Sequence, residues 1–299
     1  MKDLPSLVPV GWIDLPVVEA SGLACRRVAD GLEVIVVGDR TSQVGVGRYT
    51  PNEGLTDWRI IDLAGADGWP LPPNDSQLEA VAVDGGSLVA MMREDPPVVL
   101  IADAEQRRLR AQIVLSAPAG SPLHGKWDDP SSRGEGVVML RGGRLLVAKE
   151  KRPAALVEFC PVGEPARGIS RDDFLGVDEP WESPDGDVEF EATAMWRLKG
   201  PAKKTIRDIS DLAVGSDQTL WLLSDKSAAV ARLDLDTPLP PAGGKIRSVD
   251  HAWRLPDGST KPEGIVPLGG RRVLVAMDTD TGRLNGLIAE FLVGEDWSA

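Results

Sequence analysis

Acidic residues recur in this chain at a fixed spacing. Glu79 and Glu94, Glu135 and Glu150, and Glu263 and Asp278 each stand 15 residues apart, and Ser210 and Asp225 repeat the interval with a serine in front. Ser21 and Asp39 form a longer fifth pair, 18 residues apart. In each pair the first residue opens a short apolar run and the second closes the next one. Carboxylates gathered in one place raise one another's pKa or share a cation. Oxygen donors without histidine or cysteine suit a hard divalent ion, and a ring of carboxylates, carbonyls and waters suits Ca2+ more than Mg2+. The expected cofactor is therefore Ca2+. Its expected ligands are Glu79, Glu135 and Glu263, with Glu94, Asp278 and Asp225 beside them and Asp39, Glu19, Asp208 and Asp211 near by. Ser21 and Ser210 take the leading place in two copies, which predicts an asymmetric site.

A plainer reading is a solvated rim, with Arg93, Lys149 and Lys151 near enough to neutralise some of the acids. A solvated rim needs no fixed register, and these acids hold one. Two residues are candidates for catalysis beside a metal, as base or acid for a water on the ion: His124, in the loop "SPLHGKWDDPSSRGEG", and Glu150. His251, next to Trp253, reads as structural. The chain contains no G-x-S-x-G, P-loop or HExxH motif.

The elements that must position these residues are hairpins. In "RGEGVVMLRGGRLLVAKEKRP", Arg133 to Pro153, two apolar runs flank Gly142-Gly143. A two-residue glycine turn predicts a tight hairpin. Counting outward pairs Leu140 with Leu145, Val138 with Val147 and Glu135 with Glu150. Like charges directly across a strand pair repel, and a cation between them would offset that. Relatives of this hairpin are "LEAVAVDGGSLVAMMRED" (Leu78 to Asp95), "DISDLAVGSDQTLWLLSD" (Asp208 to Asp225), "PEGIVPLGGRRVLVAMDTD" (Pro262 to Asp280) and "EASGLACRRVADGLEVIVVGD" (Glu19 to Asp39). Their leading positions lie 58, 56, 75 and 53 residues apart, the long interval reflecting an insertion from Cys160 to Asp187.

Outer strands repeat as well: "DWRIIDL" (Asp57 to Leu63), "MWRL" (Met195 to Leu198) and "AWRL" (Ala252 to Leu255), each placing a tryptophan to be buried and an arginine stem to lie over a neighbour. "GWIDL", Gly11 to Leu15, matches them but has no hairpin before it, whereas the last copy ends at "LIAEFLV", Leu287 to Val293, and lacks a fourth strand. The pattern predicts one all-β domain over 1–299, a five-bladed β-propeller of four-stranded blades. Its N-terminal strand would complete the last blade. A β-sandwich, or two small β domains, leaves the constant interval unexplained.

The 299 residues carry 33 basic and 46 acidic side chains, a net charge of −13. That balance argues against binding nucleic acid or an anionic membrane surface. Cys25 and Cys160 have no metal-site spacing. They are expected as free thiols in a reducing compartment rather than as a disulfide, because blades that are not neighbours hold such positions beyond the roughly 7 Å bridging limit. The N-terminal "MKDLPSLVPVGWIDLP" has no apolar h-region, and no apolar run approaches the roughly 18 residues of a membrane span. A cytoplasmic monomer with a small-molecule ligand is expected, or a periplasmic or secreted one if a leader has been trimmed.

"EASGLA", "GEGVVML…GRLLVAKEKRP", "DISDLAV…LWLLSD" and "PEGIV" resemble the repeated signatures of the SdiA-regulated propeller family. The resemblance touches all five hairpins through short motifs and implies a five-bladed fold with a calcium site. It carries metal contacts over to Glu79, Glu135 and Glu263. The N-terminal stretch does not read as the family's signal or anchor, so a periplasmic location is not the first expectation. A fainter likeness links "EASGLACRRVADGLEVIVVGDRT" to the opening blade of calcium-activated nucleotidases (apyrases), which hydrolyse nucleoside di- and triphosphates. The later blades match less, and the channel is expected to be poor in the basic residues that would grip phosphates. Shared propeller architecture is weak evidence for shared chemistry. Two functions follow as expectations. One is a calcium-binding propeller whose ion is structural or anchors a small ligand; the other is a metal-dependent hydrolase of a phosphoester, lactone or ester.

Overall fold

A computed structural model describes residues 4–103, 105–129, 132–279 and 283–291. Short Val, Leu, Ile and Ala runs, cut by Gly, Pro and Asp, form strands almost throughout. Strand β1 (Val8–Ile13) comes first in the chain. The first four-stranded antiparallel unit is β2 (Ala20–Val28), β3 (Gly31–Gly38), β4 (Thr41–Thr50) and β5 (Gly54–Asp62). The second is β6 (Leu78–Val83), β7 (Leu88–Arg93), β8 (Val98–Asp103) and β9 (Arg108–Ser116), and the third is β10 (Gly134–Leu140), β11 (Arg144–Lys149), β12 (Ala155–Pro161) and β13 (Gly186–Leu198). A one-turn helix, α1 (Gly200–Thr205), follows. The fourth unit is β14 (Asp211–Val214), β15 (Leu220–Ser224), β16 (Ala229–Leu233) and β18 (His251–Arg254), with β17 (Gly244–Ile246) crossing to β13. The last is β19 (Pro262–Gly269), β20 (Arg272–Met277) and β21 (Gly286–Glu290), and its fourth strand is β1.

The closure read from the orphan "GWIDL" motif is present: β1 runs antiparallel to β21, with Trp12 opposite Leu287. The expected strand Leu287 to Val293 is shorter, and Leu292 and Val293 lie outside the described residues, as does Asp280. The second and third units are joined into one sheet by parallel pairing of Gly186–Glu191 on β13 with Ala111–Ser116 on β9.

Alternate residues of the inner strands face opposite sides, so both faces must be apolar to be buried. Val137, Met139, Leu145 and Val147 pack toward the second unit, while Val138, Leu140, Leu146 and Ala148 pack toward the fourth. Similar clusters lie between the first and second units, the fourth and last, and the last and first. The first strands β2, β6, β10, β14 and β19 touch in that order, and β19 returns to β2. This is a β-propeller-like, all-β ring. The outer tryptophans differ: Trp196 and Trp253 are fully buried, whereas Trp58 is half-buried over Gly47.

The hairpin register differs from the one expected. Leu140 pairs with Arg144, Met139 with Leu145 and Val137 with Val147. The turn spans Arg141, Gly142 and Gly143, three residues rather than two, with both glycines at positive φ. A bulge at Glu135 absorbs the odd residue, and Glu150 bonds to the carbonyl of Arg133 through its N–H at 3.0 Å. Glu135 and Glu150 are therefore not cross-strand partners.

No helix of the described residues is long and apolar enough to cross a membrane. Cys25 on β2 and Cys160 on β12 are unpaired. The segment 162–185 between β12 and β13 is held by a buried ion-pair network. Arg144 pairs with Glu158 and Asp173, and Glu158 accepts the N–H groups of Arg167 and Gly168 at 3.2 Å each.

Candidate metal centre at an acidic channel mouth

The bulge at Glu135 is one of a set. The pairing shifts at Ser21, Glu79 and Glu263 in the same way, one residue into the first strand of each unit. In the fourth unit Ser210 donates its N–H to the Leu223 carbonyl at 3.0 Å, while Asp211 is the residue paired with Leu223. A bulge sets two residues against one, bends the strand and re-aims the extra side chain. Here it turns the leading residue toward the axis. The small residue that follows lets neighbouring strands meet: a Cβ on Gly136 would lie 2.6 Å from the N of Leu212, and one on Gly22 would lie 2.9 Å from the Cα of Ala80.

The second acids are placed just as regularly. Asp39, Glu94, Glu150 and Asp278 each donate their N–H to a carbonyl two residues before the bulge, on Glu19, Gln77, Arg133 and Lys261. The result is one mouth, a cavity of about 260 Å³ lined by Glu19, Asp39, Glu79, Glu135, Glu150, Asp208, Asp225, Glu263 and Asp278, with Ser21, Ser210 and Lys151.

Cations serve the rim and not the centre. Arg40 pairs with Glu19 at 2.9 Å, Lys151 with Glu150, and Lys261 with Asp278. Lys226 bridges Asp208 at 3.1 Å and Glu150 at 3.2 Å. Lys149, expected among these cations, is instead buried against Ser132, and burial lowers its pKa to about 8. Arg93 reaches Gln77 at 3.4 Å.

Glu79, Glu135 and Glu263 are half-buried and make no hydrogen bond or ion pair among the described residues. Burial, then the carboxylates of Asp39, Glu94 and Asp278, push Glu79 up to about 8. Burial, then Asp225 and Glu79, push Glu263 to about 8. Glu135 is raised well above the ordinary range by burial, then by Glu79 and Glu263 from other units. The repulsion inferred across one hairpin is thus present as a smaller contribution from Glu150, and the larger ones act across the channel. Glu94, off the lining itself, is raised by burial and by Glu150; Asp225 is raised by burial and by Asp208.

The two serines do not form a separate class of ligand. Ser21 Oγ donates to the carbonyl of Leu78 at 2.5 Å, and Ser210 Oγ donates to the carbonyl of Pro262 at 2.8 Å. Each clasps the residue just before the leading glutamate of the next unit, a role that sequence reading missed. The shared sequence signal was a small residue after each leading position in four copies. His124 is exposed and is not among the residues lining the mouth, so it does not meet Glu150 there. His251 on β18 stacks on Trp253 at 5.8 Å.

Among the described residues no three His, Cys, Asp or Glu side chains are grouped as a ready metal cage. The donor set nevertheless fits a hard cation in kind, being all oxygen. Asp39 Oδ1, Glu94 Oε1 and Asp278 Oδ1 are buried without a hydrogen-bond partner.

No family model and no curated protein matches the chain. Among solved structures, it is similar to a luciferin-regenerating enzyme at 10% identity and a TM-score of 0.47, over 97% of this chain and 96% of that one. A protein of unknown function from Bacteroides caccae is similar at 11% identity and a TM-score of 0.45, over 90% and 81% of the two chains. A PQQ-bound aldose sugar dehydrogenase from Streptomyces coelicolor is similar at 11% identity and a TM-score of 0.37, over 96% and 99%.

Proposed function

We propose that the five units are the blades of a five-bladed β-propeller whose acidic mouth binds a divalent cation, Ca2+ ahead of Mg2+. The observation that carries this is the convergence of Glu79, Glu135 and Glu263, three carboxylates without partners. Each is aimed inward by an equivalent bulge. A rim kept for solubility has no need of half-buried acids raised by one another, because charges at a rim face water freely. A cation would supply the positive charge that lets these groups deprotonate together. Glu79, Glu135 and Glu263 would hold it, with Asp278, Asp225 and Glu94 around them.

The reading is of a calcium-binding, monomeric propeller whose ion is structural or presents a coordination site to a small ligand. Membership of the SdiA-regulated family, and residence in a reducing cytoplasm with two free thiols, belong to the same proposal. Hydrolysis of a phosphoester, lactone or ester is the second reading. It has less support, because Glu150 is tied to Lys151 and Lys226 and His124 stands off the lining.

Thermal melts of wild type and Glu135→Gln, each with calcium and with chelator, test the proposal. Binding to the native state alone raises stability by RT ln(1 + [L]/Kd). Wild type is expected to melt higher in calcium, and Glu135→Gln to lose most of that rise while the chelated variant is no weaker than chelated wild type. A wild-type midpoint equal in calcium and chelator overturns the site.

A further inference from the structure

The ring has a second mouth, at the opposite end of the first strands. A cavity of about 530 Å³ lies there, lined by residues of all five first strands and by the insertion. Its size falls in the range of roughly 300–1,000 Å³ typical of small-molecule sites. Three residues beyond each bulge, where the first strands border this cavity, the chain places Ala24, Ala82, Val138, Ala213 and Val266. Three of these five are alanine, and Ala24, Ala82, Val138 and Ala213 keep 7–8% of their surface open although they sit deep in the ring. Larger side chains would fill this space; here it is left as a void whose inner wall is apolar and whose rim is polar.

The insertion roofs one side. Gly85 donates its N–H to the Glu179 carbonyl at 3.0 Å, Trp181 donates its N–H to Asp84 at 3.0 Å, and Arg141 pairs with Glu179 at 2.6 Å. These bonds hold Leu175, Gly176 and Val177 over the opening. Most charged groups of the lining are already engaged. Arg26 is paired with Glu33, Asp84 accepts the N–H groups of Gly86, Leu88 and Trp181, and Asp217 accepts the hydroxyl of Thr219. Arg27, exposed at the rim, has no partner among the described residues. A chamber with an apolar inner wall and one unengaged guanidinium at its edge has the chemistry to take an amphipathic acid: the apolar body displaces water inside, and the guanidinium meets the anion outside.

We propose that this second cavity binds a small anionic molecule with a mainly apolar body, its acid group at Arg27 and its body against Ala24, Ala82, Val138 and Ala213. The site is separate from the acidic mouth and does not depend on calcium.

Fluorescence titration of the full chain with anilinonaphthalene sulfonate, an anionic aromatic probe, and with phenylnaphthylamine, its neutral counterpart, tests this. The sulfonate is expected to saturate at one site and to bind about tenfold or more tightly than the neutral probe. Arg27→Ser is expected to remove that preference and leave the neutral probe's affinity unchanged, and Ala213→Phe, which fills the void, to abolish both. Because Arg27 is exposed, its variant keeps the test valid should Ala213→Phe fail to fold. Absence of saturable sulfonate binding, equal affinity for the two probes, or an Arg27→Ser variant that binds the sulfonate as wild type does would each overturn the proposal. So would sulfonate binding that vanishes on chelation, since that would place the probe in the acidic mouth.

Discussion

Asp211 on β14 accepts the backbone N–H of Ile265 on β19 at 2.8 Å, so one carboxylate joins the first strands of two units. It also accepts its neighbour Leu212's N–H at 2.7 Å and the N–H of Leu23 on β2. Three strands thus meet at one fully buried side chain. Burial drives its pKa well above the ordinary range, and the three N–H donors pull against that rise.

Asp211→Ala leaves those N–H groups without an acceptor inside the ring. The expected loss in urea unfolding is about 2–4 kcal/mol, since a buried donor left unsatisfied costs about 1–3 kcal/mol. Asp211→Asn keeps an acceptor oxygen and is expected to lose less. An alanine variant as stable as wild type would show that the junction carries no weight.

The acidic mouth makes the chelated protein sensitive to base. Glu79 and Glu263 hold protons in the folded chain up to about pH 8, whereas their ordinary value is 4.5. Between those values the native state binds more protons than the unfolded state, so stability falls as pH rises. The midpoint of chelated protein is expected to drop steadily from about pH 5 to about pH 8. Saturating calcium is expected to flatten this slope. A chelated midpoint that rises with pH over the same window would contradict the raised values.

Glu158 is fully buried and anchors the insertion through Arg144, Arg167 and Gly168. Glu158→Ala leaves buried Arg144 with Asp173 alone and the N–H groups of Arg167 and Gly168 without their acceptor, and removing one partner of a buried pair costs about 3–5 kcal/mol. Trypsin is then expected to cut first within 162–185, after Arg167 or Arg171. Replacing Arg144 and Glu158 together by methionine should restore part of the stability, because neither fully buried charge is then left alone and Asp173, which loses Arg144, is partly exposed and keeps its bonds from Ser170. If the single variant resists trypsin as wild type does, the network is not what holds the segment.

Burial raises the Cys25 thiol to about 12 and the Cys160 thiol to about 11. Both are therefore protonated near neutral pH, and the thiolate is the reactive form. Ellman's reagent at about pH 8 is expected to label native protein slowly, and to label two thiols promptly once it is denatured without reductant. Fewer than two thiols on denaturation would reveal a bridge.

The ring was legible because its signals are periodic. The interval from Glu79 to Glu94 and its copies marked the hairpins, and the stray "GWIDL" at Gly11 to Leu15 marked how the ends meet. The register near Glu135 was not legible. Gly142-Gly143 suggested a two-residue turn, but Arg141 joins the turn and the bulge hides the compensation 6 residues away. The bulge lies one residue into the strand, so the apolar alternation that follows it is undisturbed and carries no sign of it. For the same reason the expected ligands other than Glu94 line the mouth, while which of them face each other was misjudged. His124 failed for a different cause: a loop residue has no periodicity to place it, and nearness in sequence to Glu135 did not bring it to the axis.

The pairing of β13 with β9 runs over 6 residues, Gly186–Glu191 beside Ala111–Ser116. Elsewhere among the described residues the outer edges share less: β17 lies beside β13 over 3 residues, and single bridges join Asp67 with Arg108 and Ser6 with Arg254. Local opening begins where main-chain bonds are fewest. Two neighbouring units are therefore fused into one stiff plate, and breathing of the ring is left to the seams around the other three.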